Sequence, residues 1–110
     1  MSWVRVCRVA DVPVGWMRAF RVTGLGVPVL VADLGAGRYA ASSGICPHED
    51  VMLEGGDLEA GRVTCPGHGY EFDLETGRCA HDPALRLRRF PLQLVGDEIH
   101  IRIDLYGVSG

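Results

Sequence analysis

Residues 44–73 read "GICPHEDVMLEGGDLEAGRVTCPGHGYEFD", and this stretch holds two cysteine–histidine pairs. Cys46 and His48 have one residue between them, and Cys65 and His68 have two. Thiolate and imidazole groups are ligands of zinc ions and of iron–sulfur clusters. The prolines and glycines beside each pair favour tight turns. We therefore expect each pair to lie on a loop, and the two loops together to form one metal centre.

Two kinds of metal centre use four such ligands. In a 2Fe–2S cluster with mixed ligands, two thiolates hold one iron and two imidazoles hold the other. Cys46 and Cys65 would then bind one iron, and His48 and His68 the second. A structural zinc site remains an alternative because the ligand types match, although such sites usually begin with two cysteines on one turn.

The spacing of the four residues resembles the signature of Rieske iron–sulfur proteins, with 16 residues between the two pairs. The string "CPGHGYEFDLETG" at residues 65–77 resembles their second cluster loop, and "HDPALRLRRFPLQL" at residues 81–94 resembles their third loop and return strand. The resemblance implies one Rieske 2Fe–2S cluster held by Cys46, His48, Cys65 and His68. It also implies that the two histidines lie at an exposed tip and keep one ring nitrogen facing a partner.

The same resemblance implies an all-β fold, with an antiparallel β-sandwich or barrel base and a smaller inserted cluster-binding subdomain. We expect a single domain over residues 1–110. Its base comprises residues 1–43 and 84–110, and the subdomain comprises residues 44–83, which are rich in Gly, Pro, Cys and His.

Hydrophobic periodicity independently predicts strands. "EIHIRI" at residues 98–103 alternates apolar and polar side chains, which is typical of a strand with one buried face. Gly96–Asp97 is a two-residue hairpin turn before it, and residues 34–37 form a second turn between strand-like segments. No segment is a convincing helix.

Composition narrows the class of protein. The chain has 110 residues, 47% of them hydrophobic, and a net charge of −3, which argues against non-specific nucleic-acid binding. It shows no apolar run long enough for a membrane span and no signal-peptide pattern, so we expect a cytoplasmic protein and no membrane partner. Cys7 and Cys79 are then expected to be free thiols rather than a disulfide.

The residues around the ligands predict a low redox potential. In the high-potential branch of the Rieske family two further cysteines cross-link the loops, and a Ser and a Tyr donate hydrogen bonds to the cluster. Those positions are Val51 and Gly67, and Tyr70 and Phe72, in this chain. Rieske centres span about −150 to +300 mV, and fewer hydrogen bonds to sulfur favour the low end.

We expect an electron carrier, not an enzyme, because no G-x-G-x-x-G fingerprint or flavin domain is present. The resemblance implies a monomeric ferredoxin between an NADH-dependent flavoprotein reductase and an oxygenase hydroxylase component. "CPHEDVMLEGG" at residues 46–56 favours a soluble diiron monooxygenase acting on aromatic or alkene substrates. The alternatives are the ferredoxin of a Rieske aromatic-ring dioxygenase, a zinc-stabilised binding module and a redox or iron sensor.

Residues 49–64 carry five carboxylates and one arginine, a net charge of −4. This segment predicts a basic patch on each partner, since charge complementarity speeds association. The other interpretation is that the carboxylates only keep a loop solvated.

Overall fold

The computed structural model describes residues 2–103, which contain ten strands in three antiparallel sheets. The sheet orders are β1-β10-β9, β2-β3-β4-β8 and β5-β6-β7. The strands are β1 Ser2–Arg8, β2 Met17–Phe20, β3 Val29–Gly35, β4 Arg38–Ser43, β5 Asp57–Glu59, β6 Arg62–Thr64, β7 Glu71–Asp73, β8 Arg89–Phe90, β9 Leu92–Val95 and β10 Glu98–Ile103.

The first two sheets form the base and share one core. The alternation in β10 places Ile99 and Ile101 at 0% exposure, and they pack in one cluster with Val29 and Val31 of β3 and Phe90 of β8. The strand predicted from the alternation is therefore confirmed, as is the two-residue hairpin turn before it, because Val95 pairs with Glu98.

Strand β3 is covered on both faces, which is why four consecutive residues, 29–32, are buried. Val29 and Val31 face the base core, whereas Leu30 and Ala32 belong to a second core that includes Phe72 of β7. Successive side chains of a strand point to opposite faces. The third sheet therefore packs over the far side of the base through this second core.

The third sheet lies between Ser43 at the end of β4 and Arg89 at the start of β8. Its three strands fall inside the predicted inserted segment, residues 44–83, while β8, β9 and β10 return to the base. The all-β antiparallel fold is confirmed. The exact division of the domain stays a prediction, and residues 104–110 of the predicted base lie outside the described residues.

Helical structure in residues 2–103 consists of two 3-10 turns, Val9–Asp11 and Leu53–Gly55. Over the same residues, no helix has the length and apolar character needed to cross a membrane. The turn predicted over residues 34–37 is shorter, because β3 extends to Gly35. Ala36 and Gly37 have φ of 55° and 75°, as a tight type I′ hairpin requires.

Candidate metal centre

The first loop follows β4 and is closed by backbone hydrogen bonds. The Cys46 N–H donates to the Val51 carbonyl at 2.9 Å, and the Leu53 N–H donates to the Gly44 carbonyl at 2.8 Å. Leu53 is 0% exposed and anchors the loop in the second core. The loop therefore holds Cys46 at its buried base and presents His48 at its outer turn.

The second loop joins β6 to β7 and has the same design. The Cys65 N–H donates to the Tyr70 carbonyl at 2.8 Å, and the Gly69 N–H donates back to the Cys65 carbonyl at 3.0 Å. Gly69 has a φ of 75°, a conformation that strongly favours glycine. The turn lets Cys65 face the core while His68 faces outward.

Burial divides the four predicted ligands into two classes. Cys46 and Cys65 are 2% and 1% exposed, whereas the side chains of His48 and His68 are 32% and 62% exposed. The structure thus brings both thiols to the inner side and both imidazoles to the outer side. This division suits a cluster in which thiolates bind one iron and imidazoles bind the other.

One carboxylate oxygen marks the space between these groups. Oε1 of Glu49 lies 2.7 Å from Nδ1 of His68 and 3.8 Å from Nδ1 of His48. It also accepts a hydrogen bond from the Cys65 thiol, with 3.7 Å between Sγ and the oxygen. The imidazole rings are perpendicular, with centroids 5.2 Å apart. Both rings therefore turn Nδ1 inward, and the residues fit a small group bound among them.

The environment of Cys46 has opposing effects on its thiol. Burial is the largest cause that raises the pKa of Cys46, and the neighbouring Cys65 thiol raises it further. The backbone N–H groups of His48 and Glu49 point at the sulfur and favour the thiolate, which partly lowers the pKa. Donors aimed at a sulfur in advance suit a thiolate that binds a metal.

An aromatic stack covers the outer side of the first loop. The Tyr70 ring stacks on His48 with centroids 4.2 Å apart and an interplanar angle of 25°. His81 lies beyond it, 5.6 Å from the Tyr70 ring. The structure thus places the Tyr70 ring against a predicted ligand. Phe72 is 0% exposed and packs in the core with both cysteines of the pairs.

The remaining cysteines lie in different cores. Within residues 2–103, Cys7 and Cys79 are free thiols, as expected, and Cys46 and Cys65 form no disulfide either. Cys7 packs in the base core, and Cys79 packs in the second core with Cys46 and Cys65. Burial, together with the nearby Asp11 carboxylate, raises the pKa of Cys7 from 9.0 to about 11.

Two of the five carboxylates in residues 49–64 have structural contacts. Glu49 points into the site, and Glu54 accepts a hydrogen bond of 2.7 Å from the Ala19 N–H of β2. The sequence predicted Glu49 only as a surface charge and did not predict that its side chain points into the site. A carboxylate directly after a candidate ligand was the available signal.

Comparisons with known proteins agree with this geometry. The Rieske [2Fe-2S] domain matches residues 2–91. The chain belongs to this family. Family membership confirms the expected cofactor, one Rieske 2Fe–2S cluster.

Relatives of this Rieske chain include both short carriers and a longer protein. It is 34% identical over 102 residues to the ferredoxin component of the alkene monooxygenase system of Xanthobacter autotrophicus, covering 92% of this chain and 81% of that protein. Human apoptosis-inducing factor 3 is 36% identical over 98 residues, but the match covers 88% of this chain and only 16% of that protein.

A solved structure supports the fold. The ferredoxin of carbazole 1,9a-dioxygenase from Nocardioides aromaticivorans superposes with a TM-score of 0.83 at 28% identity, covering 94% of this chain and all of that chain. These similarities confirm the expectation of a Rieske ferredoxin that is related to components of oxygenase systems. They also confirm the expectation of an electron-transfer protein rather than an enzyme.

Proposed function

We propose that this chain carries single electrons through a Rieske cluster bound by Cys46, Cys65, His48 and His68. The observation that carries the proposal is the division of one donor set into two buried thiols and two exposed imidazoles. The buried cysteines hold the inner side against the core, and the histidines hold the outer side at the surface. When bound, the cluster supplies a one-electron redox couple.

The exposed imidazoles define where electrons enter and leave. His68 is the most exposed of the four, with 62% of its side chain accessible, so a partner that docks on the two loops approaches the ring edges directly. A carrier that uses one surface for donor and acceptor needs small, short-lived interfaces. The protein would then expose the edges of the two histidine rings to a partner and exclude water from the thiolate side of the cluster.

The potential is proposed to lie at the low end for the family. Phe72 is 0% exposed and has no hydroxyl to donate toward the site. Val51 and Gly67 cannot form a disulfide between the loops. The ring of Tyr70 is engaged with His48. A midpoint of about −150 mV suits reduction by NADH through a flavoprotein.

The proposed partners are an NADH-dependent flavoprotein reductase and the hydroxylase of a soluble diiron monooxygenase acting on an aromatic or alkene substrate. The similarity to an alkene monooxygenase ferredoxin supports this assignment. The similarity in fold and sequence to a carbazole dioxygenase ferredoxin supports the second candidate, a Rieske dioxygenase ferredoxin. Cytoplasmic location and a monomeric state belong to the same proposal.

The ligand assignment is tested by spectroscopy and metal analysis of the purified chain. We expect a red-brown protein with two irons and two sulfides per chain, and a low-average-g EPR signal after dithionite. His48→Cys is expected to lose the cluster or to shift its absorption and potential toward an all-thiolate ferredoxin. His81→Cys is the matched control, since His81 is exposed and lies outside the proposed ligand set. An unchanged spectrum in His48→Cys, or a colourless zinc-containing wild type, would contradict the assignment.

The partner assignment is tested by electron transfer in vitro. Reduced protein is mixed in a stopped-flow instrument with a purified diiron hydroxylase and, separately, with a Rieske dioxygenase, and its reoxidation is followed. Faster reoxidation by the diiron hydroxylase supports the first candidate. Faster reoxidation by the dioxygenase overturns it in favour of the second.

A further inference from the structure

A groove of about 510 Å³ lies beside the first loop of the metal centre. Three parts of the chain form it: strand β2, the connection from β2 to β3, and the first loop itself. Its apolar lining comprises Phe20, Val27, Pro28, Ile45 and Met52. The first four of these are half-buried, so the groove offers an apolar surface next to the loop that carries His48.

Met52 adds an exposed apolar side chain to this groove. It is 40% exposed, and it is the one large hydrophobic side chain exposed in residues 44–83. Its backbone is held in place, because Met52 forms an antiparallel bridge with Ile45 at the base of the same loop. Methionine is unbranched and polarizable, and it adapts to the shape of a partner surface. An exposed methionine at a fixed position near a proposed ligand therefore suits an interaction site.

The charges around the groove favour a cationic partner. Asp50 lines the groove and is exposed, and its carboxylate has no hydrogen bond or ion pair with any residue in 2–103. Glu54 also lines the groove, although its carboxylate accepts the hydrogen bond from Ala19. Arg21 is the one cation among the described lining residues, so the groove is net −1 within a segment, residues 49–64, that is net −4. Opposite charges across an interface speed association.

The charge of the centre distinguishes the electron acceptor from the electron donor. Reduction adds one electron, so the reduced protein is one unit more negative than the oxidised protein. A cationic segment therefore binds the reduced protein more strongly, and it is released more readily after the electron has left. The partner that must recognise the reduced protein is the electron acceptor.

We propose that this groove is the docking site for a segment of the oxygenase hydroxylase component in which an apolar side chain is flanked by Lys or Arg. The apolar side chain packs against Met52 and Ile45, and the basic group pairs with Asp50. Interfaces commonly place apolar contacts at the centre and charges at the rim. The inference rests on the proposed electron-transfer function and adds the docking surface and the chemistry of the partner segment.

The first test follows the reoxidation of reduced protein by increasing concentrations of the purified diiron hydroxylase. Met52→Gln is compared with the matched control Leu94→Gln, since Leu94 is 46% exposed but lies in β9 of the base. We expect Met52→Gln to raise the half-saturating hydroxylase concentration about fivefold to tenfold and to change the limiting rate less than twofold. Leu94→Gln should change neither value more than twofold. Equal effects in the two variants, or no effect of Met52→Gln, would overturn the proposal.

A second arm fills the groove and leaves Met52 in place. A Cβ built at Gly26 meets no atom within 4 Å, and Gly26 does not have a positive φ. Because Gly26 lines the groove, Gly26→Leu adds bulk there without straining the backbone. The half-saturating concentration should rise as it does in Met52→Gln, and docking as tight as in the wild type contradicts an occupant in the groove.

A third arm tests the charge of the partner segment. Asp50→Asn should slow association with the hydroxylase at low salt and weaken the salt dependence of that rate. Asp97→Asn is the matched control, because it removes the same charge from the hairpin before β10. Equal effects of the two substitutions would overturn the pairing of Asp50 with a basic group.

The outcomes also separate this inference from the proposed function. The visible spectrum and midpoint potential of each variant should match the wild type, so that a change in docking is not a change in the cluster. A wild type without a 2Fe–2S cluster refutes the ligand set, whereas a normal cluster with docking indifferent to Met52 refutes only the groove. If the Rieske dioxygenase is the faster acceptor, the same variants are compared with it. Protein that neither oxygenase reoxidises, or variants impaired only in reduction by the flavoprotein reductase, overturn the inference.

Discussion

The stack of Tyr70 on His48 gives a prediction whose size follows from the structure. The rings lie 4.2 Å apart at 25°, which leaves the proposed ligand ring little freedom to turn. Replacing Tyr70 with Ala removes this face contact while leaving all four proposed ligands in the chain. Tyr70→Phe retains the stacked ring and removes only the hydroxyl.

Aromatic pairs contribute about 0.5 to 1.5 kcal/mol beyond the area that they bury. The stack holds the His48 ring in the orientation in which it would bind iron, and the contact is lost when that ring rotates away. Removing the Tyr70 ring should therefore lower the barrier to cluster release by about this amount. Each 1.36 kcal/mol of barrier is a factor of ten in rate, so release should accelerate roughly twofold to tenfold in Tyr70→Ala.

The assay follows the loss of visible absorbance at constant temperature in the presence of an iron chelator. Tyr70→Phe should release the cluster at the wild-type rate. His81→Ala should have a smaller effect than Tyr70→Ala, since His81 contacts the outer side of Tyr70 and not the ligand ring. If Tyr70→Phe behaves like Tyr70→Ala, the hydroxyl and not the stack is responsible, and the reasoning is wrong.

Two predictions concern stability. Phe72→Ala should cost about 3 to 5 kcal/mol of unfolding free energy by urea denaturation, because the side chain is 0% exposed. Leu94→Ala, at 46% exposure, should stay within about 0.5 kcal/mol, and similar losses in both would contradict the assigned core. The pKa of the buried Cys7 is raised from 9.0 to about 11. Its contribution to stability is therefore complete below pH 9 and is lost as pH rises toward 11. Cys7→Ala should flatten that part of the stability–pH curve, and an unchanged slope would refute the assignment.

The parts of the fold that sequence predicts are those governed by local pattern. The alternation in residues 98–103 and the Gly96–Asp97 turn depend on periodicity and backbone preference, and both are confirmed. The continuous buried run at residues 29–32 is different. Its two-sided burial depends on a second core supplied by residues far along the chain.

The same distinction applies to the metal centre. The ligand types, the spacing and the family resemblance predict that Cys46, His48, Cys65 and His68 form one metal centre. The sequence could not show where the Glu49 side chain would point. That direction depends on the second loop, where Gly67 has no Cβ and so leaves space for the Glu49 carboxylate.

The closed hydrogen bonds of the two loops have a consequence for the speed of electron exchange. The Cys46 sulfur already faces the amide N–H groups of His48 and Glu49, and each loop is fixed by its own backbone contacts. Dipoles that are fixed in advance need little rearrangement when charge arrives. We therefore expect a low reorganisation energy for the proposed cluster, and an exchange rate that depends on how often a partner meets the exposed ring edges rather than on motion within the loops.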